Sequence, residues 1–251
     1  MDRSFFTAPA LEVAPRLLGA TLTLRTVRAS GDPELSEVAI RITEVEAYHG
    51  VGVPGPYDPG SHARDRRTER NASMFGPPGH AYVYLSYGMH FALNLVCSPE
   101  GSASGVLLRA GEVIRGVTTA QQRRTAGRTD QQLAAHTLAR GPGNLARALG
   151  INRPEHDGLD VLAAPFRLEP RDVEPPGIVA GPRVGVSGEA GSMSFPWRFW
   201  IAGDPSVSAY RPGRNVPKAM PAPRPDQRPT GRSEGGTAPA RPRRSQPPRP
   251  R

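Results

Sequence analysis

Residues 71–94, NASMFGPPGHAYVYLSYGMHFALN, constrain the fold more than any other part of this chain. Residues 76–79 are a Gly-Pro-Pro-Gly turn signal, and a strict alternation of side-chain type follows it, as in a β-strand. Small and apolar side chains would occupy one face, with Tyr82 and Tyr84 on the other. Residues 87–90 then predict the tip of a hairpin, where Gly88 supplies a permissive backbone.

The predicted hairpin holds three of the six tyrosines in the chain. Flat side chains on a β-ribbon suit stacking on nucleobases, because every base has a π-face. A hairpin in a hydrophobic core would use the same residues for their β-propensity, and composition alone favours that interpretation. The position of Tyr87 at the tip, where no core can cover its ring, favours nucleic acid. A wedge there could enter the minor groove.

A second predicted strand carries two carboxylates in the sequence IRITEVEAY. A period of two places one set of side chains on a single face: Ile40, Ile42, Glu44, Glu46 and Tyr48. Two acids and an aromatic ring that follow apolar residues on one face are unusual for a solvated strand and favour a functional site. The alternative, which the strand alone favours, is an edge strand whose acids pair with the arginines at 64, 66, 67 and 70.

An apolar strand at 105–110 contains a single arginine, Arg109, near its end. An arginine in such a position usually needs an anionic partner, and Glu46 is a candidate. The loop of residues 58–71 is rich in arginine, including Arg64 and Arg70. These guanidinium groups could contact phosphates, although arginine-rich loops are more often simply solvated.

Charge divides the chain into two predicted parts. Residues 1–210 carry 21 basic and 21 acidic side chains, whereas residues 211–251 carry 11 basic and two acidic ones and 11 of the 29 prolines. A segment of that composition cannot bury enough apolar surface to order itself. We therefore expect one domain, 1–210, and a disordered basic tail, 211–251. The tail either adds salt-sensitive attraction to phosphates or has no role.

Several functional classes are disfavoured by the sequence. Cys97 is the only cysteine, which excludes an intramolecular disulfide and a cysteine zinc cluster. The histidines show no metal-ligand spacing with carboxylates, and no Gly-rich phosphate loop precedes a helix, so we expect neither a metal nor another cofactor. Without an apolar run of membrane-spanning length or a signal-peptide core, we expect a cytoplasmic protein that does not bind membranes.

The predicted elements indicate an α+β fold in a single domain, with a mostly antiparallel sheet, a protruding aromatic β-hairpin and flanking helices. An amphipathic helix is expected within 4–19 and helical character from 111 to 150, where Gly150 would be a C-cap. The expected strands lie at about 20–28, 37–48, 80–87, 90–97, 104–110, 160–168, 182–187 and 197–202.

Taken together, these features resemble the alkyladenine (3-methyladenine) DNA glycosylase family, which excises alkylated purines. The order and spacing of the motifs agree from about residue 4 to residue 208, so the resemblance depends on no single short pattern. The matching residues are RLLG at 16–19, TEVEAY at 43–48, SHAR at 61–64, RN at 70–71, MF at 74–75, PG at 78–79, YVY at 82–84, YGM at 87–89, Asn94, LLRA at 107–110, GP at 141–142, LGI at 149–151 and PRVGV at 182–186.

The resemblance implies a catalytic group of three residues. Glu46 would be the carboxylate that activates water. Arg109 and the backbone carbonyl of Val184 would help to hold that water.

The resemblance also implies a base-binding group. Tyr48, His62 and Tyr84 would enclose the extruded base by stacking and hydrogen bonding. Asn94 would crowd the exocyclic amino group of normal guanine and so discriminate against it.

The remaining implied contacts are with the DNA itself. Tyr87 would be the intercalating wedge, with Met89 beside it at the hairpin tip. Arg64 and Arg70 would contact the DNA from the arginine-rich loop.

The implied function is a monofunctional DNA glycosylase that acts, as a monomer, on double-stranded DNA containing alkylated purines, with deaminated and etheno purines as further candidates. It would flip the damaged base, hydrolyse the N-glycosidic bond and leave an abasic site in base excision repair. Lyase activity needs an amine to form a Schiff base, and the only lysine, Lys218, lies in the predicted tail.

Two rival functions stay open. A noncatalytic nucleic-acid-binding protein could use the same aromatic hairpin, although it would leave Glu46 without a purpose. A carbohydrate hydrolase also uses aromatic residues and two acids. It is disfavoured because Glu44 and Glu46 come from one strand and not from opposite sides of a substrate.

Overall fold

A computed structural model describes residues 1–27, 35–86, 88–126 and 131–217. The described residues form an α+β domain, and every strand pairing among them is antiparallel, which confirms the predicted fold class.

The helices are α1 (Ala10–Leu17), α2 (Val117–Arg124), α3 (Pro142–Leu149) and α4 (Arg153–His156). The strands are β1 (Thr21–Val27), β2 (Leu35–His49), β3 (Ala81–Ser86), β4 (His90–Val96), β5 (Ser104–Arg115), β6 (Ala139–Arg140), β7 (Phe166–Glu169), β8 (Ile178–Gly181) and β9 (Arg198–Ile201).

The sheet is built around its two longest strands, β2 and β5. The strand order is β3-β4-β5-β2-β1-β7, with β6 paired to the middle of β5 and β9 paired to both β2 and β8. Strand β2 therefore contacts β1, β5 and β9 along its 15 residues. This arrangement lets side chains from distant parts of the sequence meet beside β2.

Helices α1 and α3 cover the sheet with apolar stripes. Helix α1 buries Ala10, Val13, Ala14 and Leu17, which have the spacing of one helical face. Helix α3 is followed by Gly150, which has a φ of +84° and whose N–H donates to the Ala146 carbonyl oxygen at 2.9 Å. This geometry confirms the predicted C-cap. Within the described residues, no helix is long and apolar enough to cross a membrane.

Three segments differ from the sequence prediction. The expected strand at about 160–168 is shorter, because residues 161–165 form turns and β7 begins only at Phe166. Strand β5 continues to Arg115, where helical character was expected, because Val113 pairs with Ile40 at the beginning of β2. The expected strand at 182–187 is a loop, and the strand of this region is β8. Gly185 and Gly188 have φ values of +72° and +64°, which extended strands do not adopt.

A β-bulge in β2 corrects the predicted face assignment. The register to β5 shifts on both sides of Glu44, so that the side chains on β2 exchange faces there. Val38, Ile40 and Ile42 join the main core before the bulge, whereas Val45 and Ala47 join it afterwards. Glu44, Glu46 and Tyr48 therefore do not share a face with Ile40 and Ile42.

Strands β3 and β4 pair along their whole length, from Ala81 opposite Leu95 to Ser86 opposite His90. Gly88 has a φ of +69° in the connecting turn, as predicted for a permissive position. Tyr87, the predicted wedge, lies outside the described residues. The predicted alternation within β3 is confirmed: Ala81 and Val83 join the main core, and the second cluster contains Tyr82 with Tyr84 packed against it.

A fully buried ion pair joins the loop after β2 to the loop after β8. The Arg183 guanidinium donates to both Asp58 carboxylate oxygens, at 2.6 and 2.8 Å, and both side chains are 0% exposed. Arg183 also donates to the carbonyl oxygens of Ala47 and Ala190. One side chain therefore fastens two loops to strand β2.

We expect Arg183→Met to lower the free energy of unfolding by about 3–5 kcal/mol, because it leaves the Asp58 carboxylate buried without its charge partner. Chemical denaturation measures this change. The control is Arg167→Met, which breaks the exposed pair with Glu169 and should cost at most about 1 kcal/mol. Equal costs for the two variants would contradict the role assigned to the buried pair.

His49, at the end of β2, is a buried titratable group. It is 4% exposed, its ring lies 5.1 Å from the Trp197 ring between centroids, and neither ring nitrogen hydrogen-bonds to another described residue. Burial lowers the pKa of His49 below the ordinary histidine value. The folded protein therefore favours the neutral ring, while the unfolded chain binds a proton near pH 6.5.

The resulting stability is fully present above about pH 6.5 and is lost as the pH falls towards the lowered pKa, by at most about 1.4 kcal/mol per pH unit. We expect His49→Phe, which keeps a flat ring, to reduce the difference in unfolding free energy between pH 7.5 and pH 5.5. Urea titrations at both pH values test this. His136→Gln, at an exposed position, is the control. If His49→Phe retains the whole pH difference, the assignment is wrong.

Candidate active site

Glu46 is the buried carboxylate at the centre of the site. It is 0% exposed, and three donors hold it. Its Oε2 accepts from the Tyr48 hydroxyl at 2.8 Å and from Arg109 Nη1 at 3.3 Å, while Oε1 accepts from the Val184 N–H at 2.6 Å. A carboxylate has about four acceptor positions. The described donors thus leave about one for a further ligand.

Glu44 lies two residues away and has a different environment. Its oxygens accept from Arg109 Nε at 3.0 Å, from Arg198 Nε at 2.7 Å, and from the N–H and hydroxyl of Ser208 at 2.8 and 2.9 Å. Four donors fill its acceptor positions. Two carboxylates and two guanidinium groups are therefore buried as one compensated cluster.

The partners predicted for the acids differ from the observed ones in part. Arg109 pairs with Glu46, as predicted, and also with Glu44. The alternative, in which the acids pair with the arginines at 64, 66, 67 and 70, is wrong. Arg198 and Ser208 were missed, and no sequence spacing points to them because they lie more than 150 residues from Glu44. The pattern WRFWI, with one arginine inside an apolar run, is the only signal for Arg198.

A cavity of about 600 Å³ opens beside Glu46. Its floor contains a row of residues that are register partners on neighbouring strands. Glu46 on β2 lies opposite Leu107 on β5, and Leu107 lies opposite Asn94 on β4. Asn94 in turn lies opposite Tyr82 on β3. Two strand spacings, about 10 Å, separate Glu46 from Asn94. This cavity has the size of a typical small-ligand site.

The structure brings together all of the predicted catalytic and base-binding residues. They line the same cavity, with one of the two predicted arginines: Glu46, Arg109, Val184, Tyr48, His62, Tyr84, Asn94 and Arg70. The rings of His62 and Tyr84 meet edge to face, with centroids 4.7 Å apart. Asn94 is 5% exposed, and its Nδ2 donates to the Tyr82 carbonyl oxygen at 3.1 Å, which fixes the amide orientation.

Two groups in the cavity have shifted pKa values. Burial, followed by the charge of Glu46, raises the pKa of Tyr48 well above its ordinary value, so its hydroxyl stays a donor to Glu46. Partial burial of the ring, together with the charges of Arg70 and Arg64, lowers the pKa of His62. Its imidazole is therefore neutral at neutral pH, and one ring nitrogen lies 3.3 Å from the Tyr82 hydroxyl.

Of the three predicted DNA contacts that the structure describes, Arg70 lines the cavity, whereas Met89 and Arg64 are not among its lining residues. Met89 is 72% exposed at the turn after β3. Arg70 lines the cavity, and its guanidinium lies 6.0 Å from the centroid of the Tyr84 ring. Arg64 is exposed and pairs with Asp65 at 3.1 Å.

Sequence reasoning also missed the support beneath Tyr48. The Arg183 guanidinium lies 4.5 Å from the centroid of the Tyr48 ring, in cation–π distance. The buried ion pair with Asp58 thus stabilises one face of a cavity residue. Within the described ranges, no group of three or more histidine, cysteine, aspartate or glutamate residues is placed to hold a metal ion.

Comparison with known proteins agrees with this geometry. The family model described as methylpurine-DNA glycosylase matches residues 4–205. A protein from Leifsonia xyli is 51% identical over 209 residues, which cover 83% of this chain and 92% of the relative. A protein from Streptomyces avermitilis is 50% identical over 215 residues, which cover 84% and 92%. Both carry the name "Putative 3-methyladenine DNA glycosylase". The matched region contains both carboxylates and both guanidinium groups of the buried cluster but not Ser208. This chain belongs to the methylpurine-DNA glycosylase family.

Proposed function

We propose that this protein is a monofunctional DNA glycosylase that flips alkylated purines out of double-stranded DNA and hydrolyses the N-glycosidic bond. The observation that carries the proposal is the position of Glu46. Its buried carboxylate borders an aromatic cavity and is held by three donors. Deaminated and etheno purines are further candidate substrates, and the protein acts as a monomer.

The free-energy cost of base flipping must be offset by contacts between the flipped base and the cavity. Removing a base from the stack costs a few kcal/mol, and stacking on one aromatic ring returns roughly 1–3 kcal/mol. Tyr48 and Tyr84 are the rings proposed for this role, and His62, whose ring meets Tyr84 edge to face, is proposed to enclose the base with them. Asn94, whose orientation is fixed by its bond to Tyr82, is proposed to crowd the exocyclic amino group of guanine.

The proposed reaction uses one carboxylate. Water attacks the anomeric carbon, the bond from that carbon to the purine nitrogen breaks, and the bonding electrons leave with the base. Glu46 accepts a proton from the water and stabilises the positive charge that develops on the sugar. Because an alkylated purine already carries a positive charge, it departs as a neutral base and needs no strong acid partner.

Arg109 and Val184 are proposed to hold the attacking water. Three N–H donors of Arg109 are engaged, on Glu44, Glu46 and Ser208, and a guanidinium carries five. The Val184 N–H binds Glu46, which brings its backbone next to the carboxylate. Its carbonyl oxygen is the second proposed water ligand.

The surroundings of Glu44 argue against a carbohydrate hydrolase. That chemistry uses two carboxylates on opposite sides of a bond. Glu44 is 0% exposed, is bound by four donors and does not line the cavity, as far as the described residues extend. One carboxylate, Glu46, is therefore presented to a substrate.

The DNA contacts are proposed to come from the turn after β3 and from the arginine-rich loop. Tyr87 would enter the space of the flipped base, with Met89 beside it. Arg70 and Arg64 would contact phosphates on the same side as the cavity. The basic tail, residues 211–251, of which 218–251 lie outside the described residues, is proposed to add salt-sensitive attraction to phosphates.

Changing Glu46 to Gln tests the function directly. We expect the rate of free-base release from alkylated duplex DNA to fall about 10²–10⁴-fold, the usual range for loss of a general base, while DNA binding is retained. The control is Glu169→Gln, in an exposed ion pair away from the cavity. Circular dichroism confirms that each variant is folded.

Two results would count against the proposal. If wild-type protein binds DNA with several damaged purines but releases no base from it, the chain is a noncatalytic binder. If Glu46→Gln releases base at the wild-type rate, the carboxylate is assigned wrongly.

The proposed lack of lyase activity is tested separately. Because the cavity presents no lysine amine among its lining residues, borohydride added during turnover should trap no covalent complex with DNA. The product strand should stay intact until alkali is added. A trapped complex on a denaturing gel would overturn the monofunctional assignment.

A further inference from the structure

The segment of residues 206–214 runs past the cavity beyond the end of the region that the family model matches, residues 4–205. It contacts both the buried carboxylate cluster and a wall of the cavity. We call residues 206–214 the C-terminal strap. None of the predicted site residues lies in it.

The first half of the strap is bonded to the carboxylate cluster. The Ser208 N–H and hydroxyl donate to Glu44, at 2.8 and 2.9 Å. Arg109 Nη2 donates to the Ser208 hydroxyl oxygen at 3.3 Å, and Arg198 Nη2 donates to the Ser208 carbonyl oxygen at 2.8 Å. Ser208 thus contacts three of the four charged groups in the cluster.

The fourth charged group, Glu46, is reached through Arg109. The guanidinium of Arg109 is fixed at Nε by Glu44 and at Nη2 by Ser208, and its Nη1 donates to Glu46. Because the guanidinium is planar and rigid, fixing two of its nitrogens sets the direction of the third. Ser208 therefore helps to determine where Arg109 presents its donors beside Glu46.

The second half of the strap is bonded to the cavity wall formed by residues 184–187. The Gly185 N–H donates to the Arg211 carbonyl oxygen at 2.8 Å, and the Gly188 N–H donates to the Arg214 carbonyl oxygen at 2.8 Å. The Arg214 N–H donates to the Ser187 hydroxyl at 3.3 Å. These bonds resemble a short ladder between the strap and the wall.

The strap and the wall are in such close contact that glycine is required between them. A Cβ atom at Gly213 would lie 2.1 Å from the Val186 carbonyl oxygen and 2.7 Å from the Ser187 nitrogen. These are backbone atoms, so no side-chain rotation can relieve the overlap. The backbone of the wall or that of the strap would have to move.

We propose that the C-terminal strap is a positioning element of the active site. Ser208 positions Arg109 against Glu46, and residues 211–214 position the wall that contains Val184. This inference rests on the proposed function and deepens it, because it assigns part of the catalytic geometry to residues outside the matched region.

Ser208→Ala tests the first contact. We expect single-turnover base release to slow by about 10–100-fold, the equivalent of one hydrogen bond to a charged group, with DNA affinity unchanged. Ser208→Thr, which keeps the hydroxyl, should recover most of the rate. The matched control is Ser36→Ala: Ser36 also bonds an arginine, Arg123, at 3.0 Å, but lies ten residues from Glu46 along β2, about 33 Å.

The split between rate and affinity separates positioning from a merely structural role. A folded Ser208→Ala variant with the wild-type rate overturns the assignment of Ser208. A loss of rate that Ser208→Thr does not recover, or that Ser36→Ala reproduces, also overturns it.

Gly213→Ala tests the second contact. We expect faster hydrogen exchange at the amides of Gly185 and Gly188, and a loss of base release of up to about 100-fold, because small displacements of positioning groups have effects of that size. Gly177→Ala is the control, since its Cβ atom would meet only Ala202 at an ordinary 3.7 Å. Unchanged exchange in folded Gly213→Ala overturns the contact with the wall.

These measurements distinguish the inference from the function on which it rests. Failure of wild-type protein to release any base contradicts the glycosylase and leaves the strap to be judged by amide exchange alone. Wild-type release together with unaffected Ser208→Ala and Gly213→Ala variants contradicts the strap and supports the glycosylase.

Discussion

The burial of two carboxylates on one strand is the constraint on which the rest of the site depends. Removing each charge from water costs several kcal/mol, and the cost is offset only where partners and hydrogen bonds are complete. Here the partners are Arg109 on β5, Arg198 on β9, the Val184 backbone and Ser208. Because they come from four separate parts of the chain, the site can form only when the whole domain has folded.

The same cluster gives two identical chemical groups different roles. Glu44 is saturated by four donors and serves to orient Arg109 and Arg198. Glu46 has three donors and borders the cavity. The distinction follows from the donors that surround each acid: Arg198 and Ser208 bind only Glu44, whereas Tyr48 and the Val184 N–H bind only Glu46. Arg109 can therefore be aimed at Glu46 by a second carboxylate, Glu44, that does not line the cavity within the described residues.

The sequence predicts the local and the repeated features well: the antiparallel class, the alternation in β3 and the glycine cap of α3. The residues that gather at the cavity are implied by the family resemblance and not by periodicity or spacing. Sequence-based prediction fails where one residue changes a register or where partners are far apart. The alternation of residue types in β2 does not predict the bulge at Glu44. One extra residue there moves every following side chain of β2 to the other face of the sheet. Arg183 and Asp58 are 125 residues apart, so only the folded chain shows that they pair.

The two sides of the cavity are held by different kinds of interaction. Glu46, Leu107 and Asn94 lie on strands whose positions are set by continuous hydrogen-bond ladders. The opposite side is made of loops that depend on the Asp58–Arg183 pair and on the strap. Substitutions in these loops can change the shape of the cavity while the ladders keep Glu46 in place. The division therefore allows the cavity to change shape without loss of the carboxylate geometry.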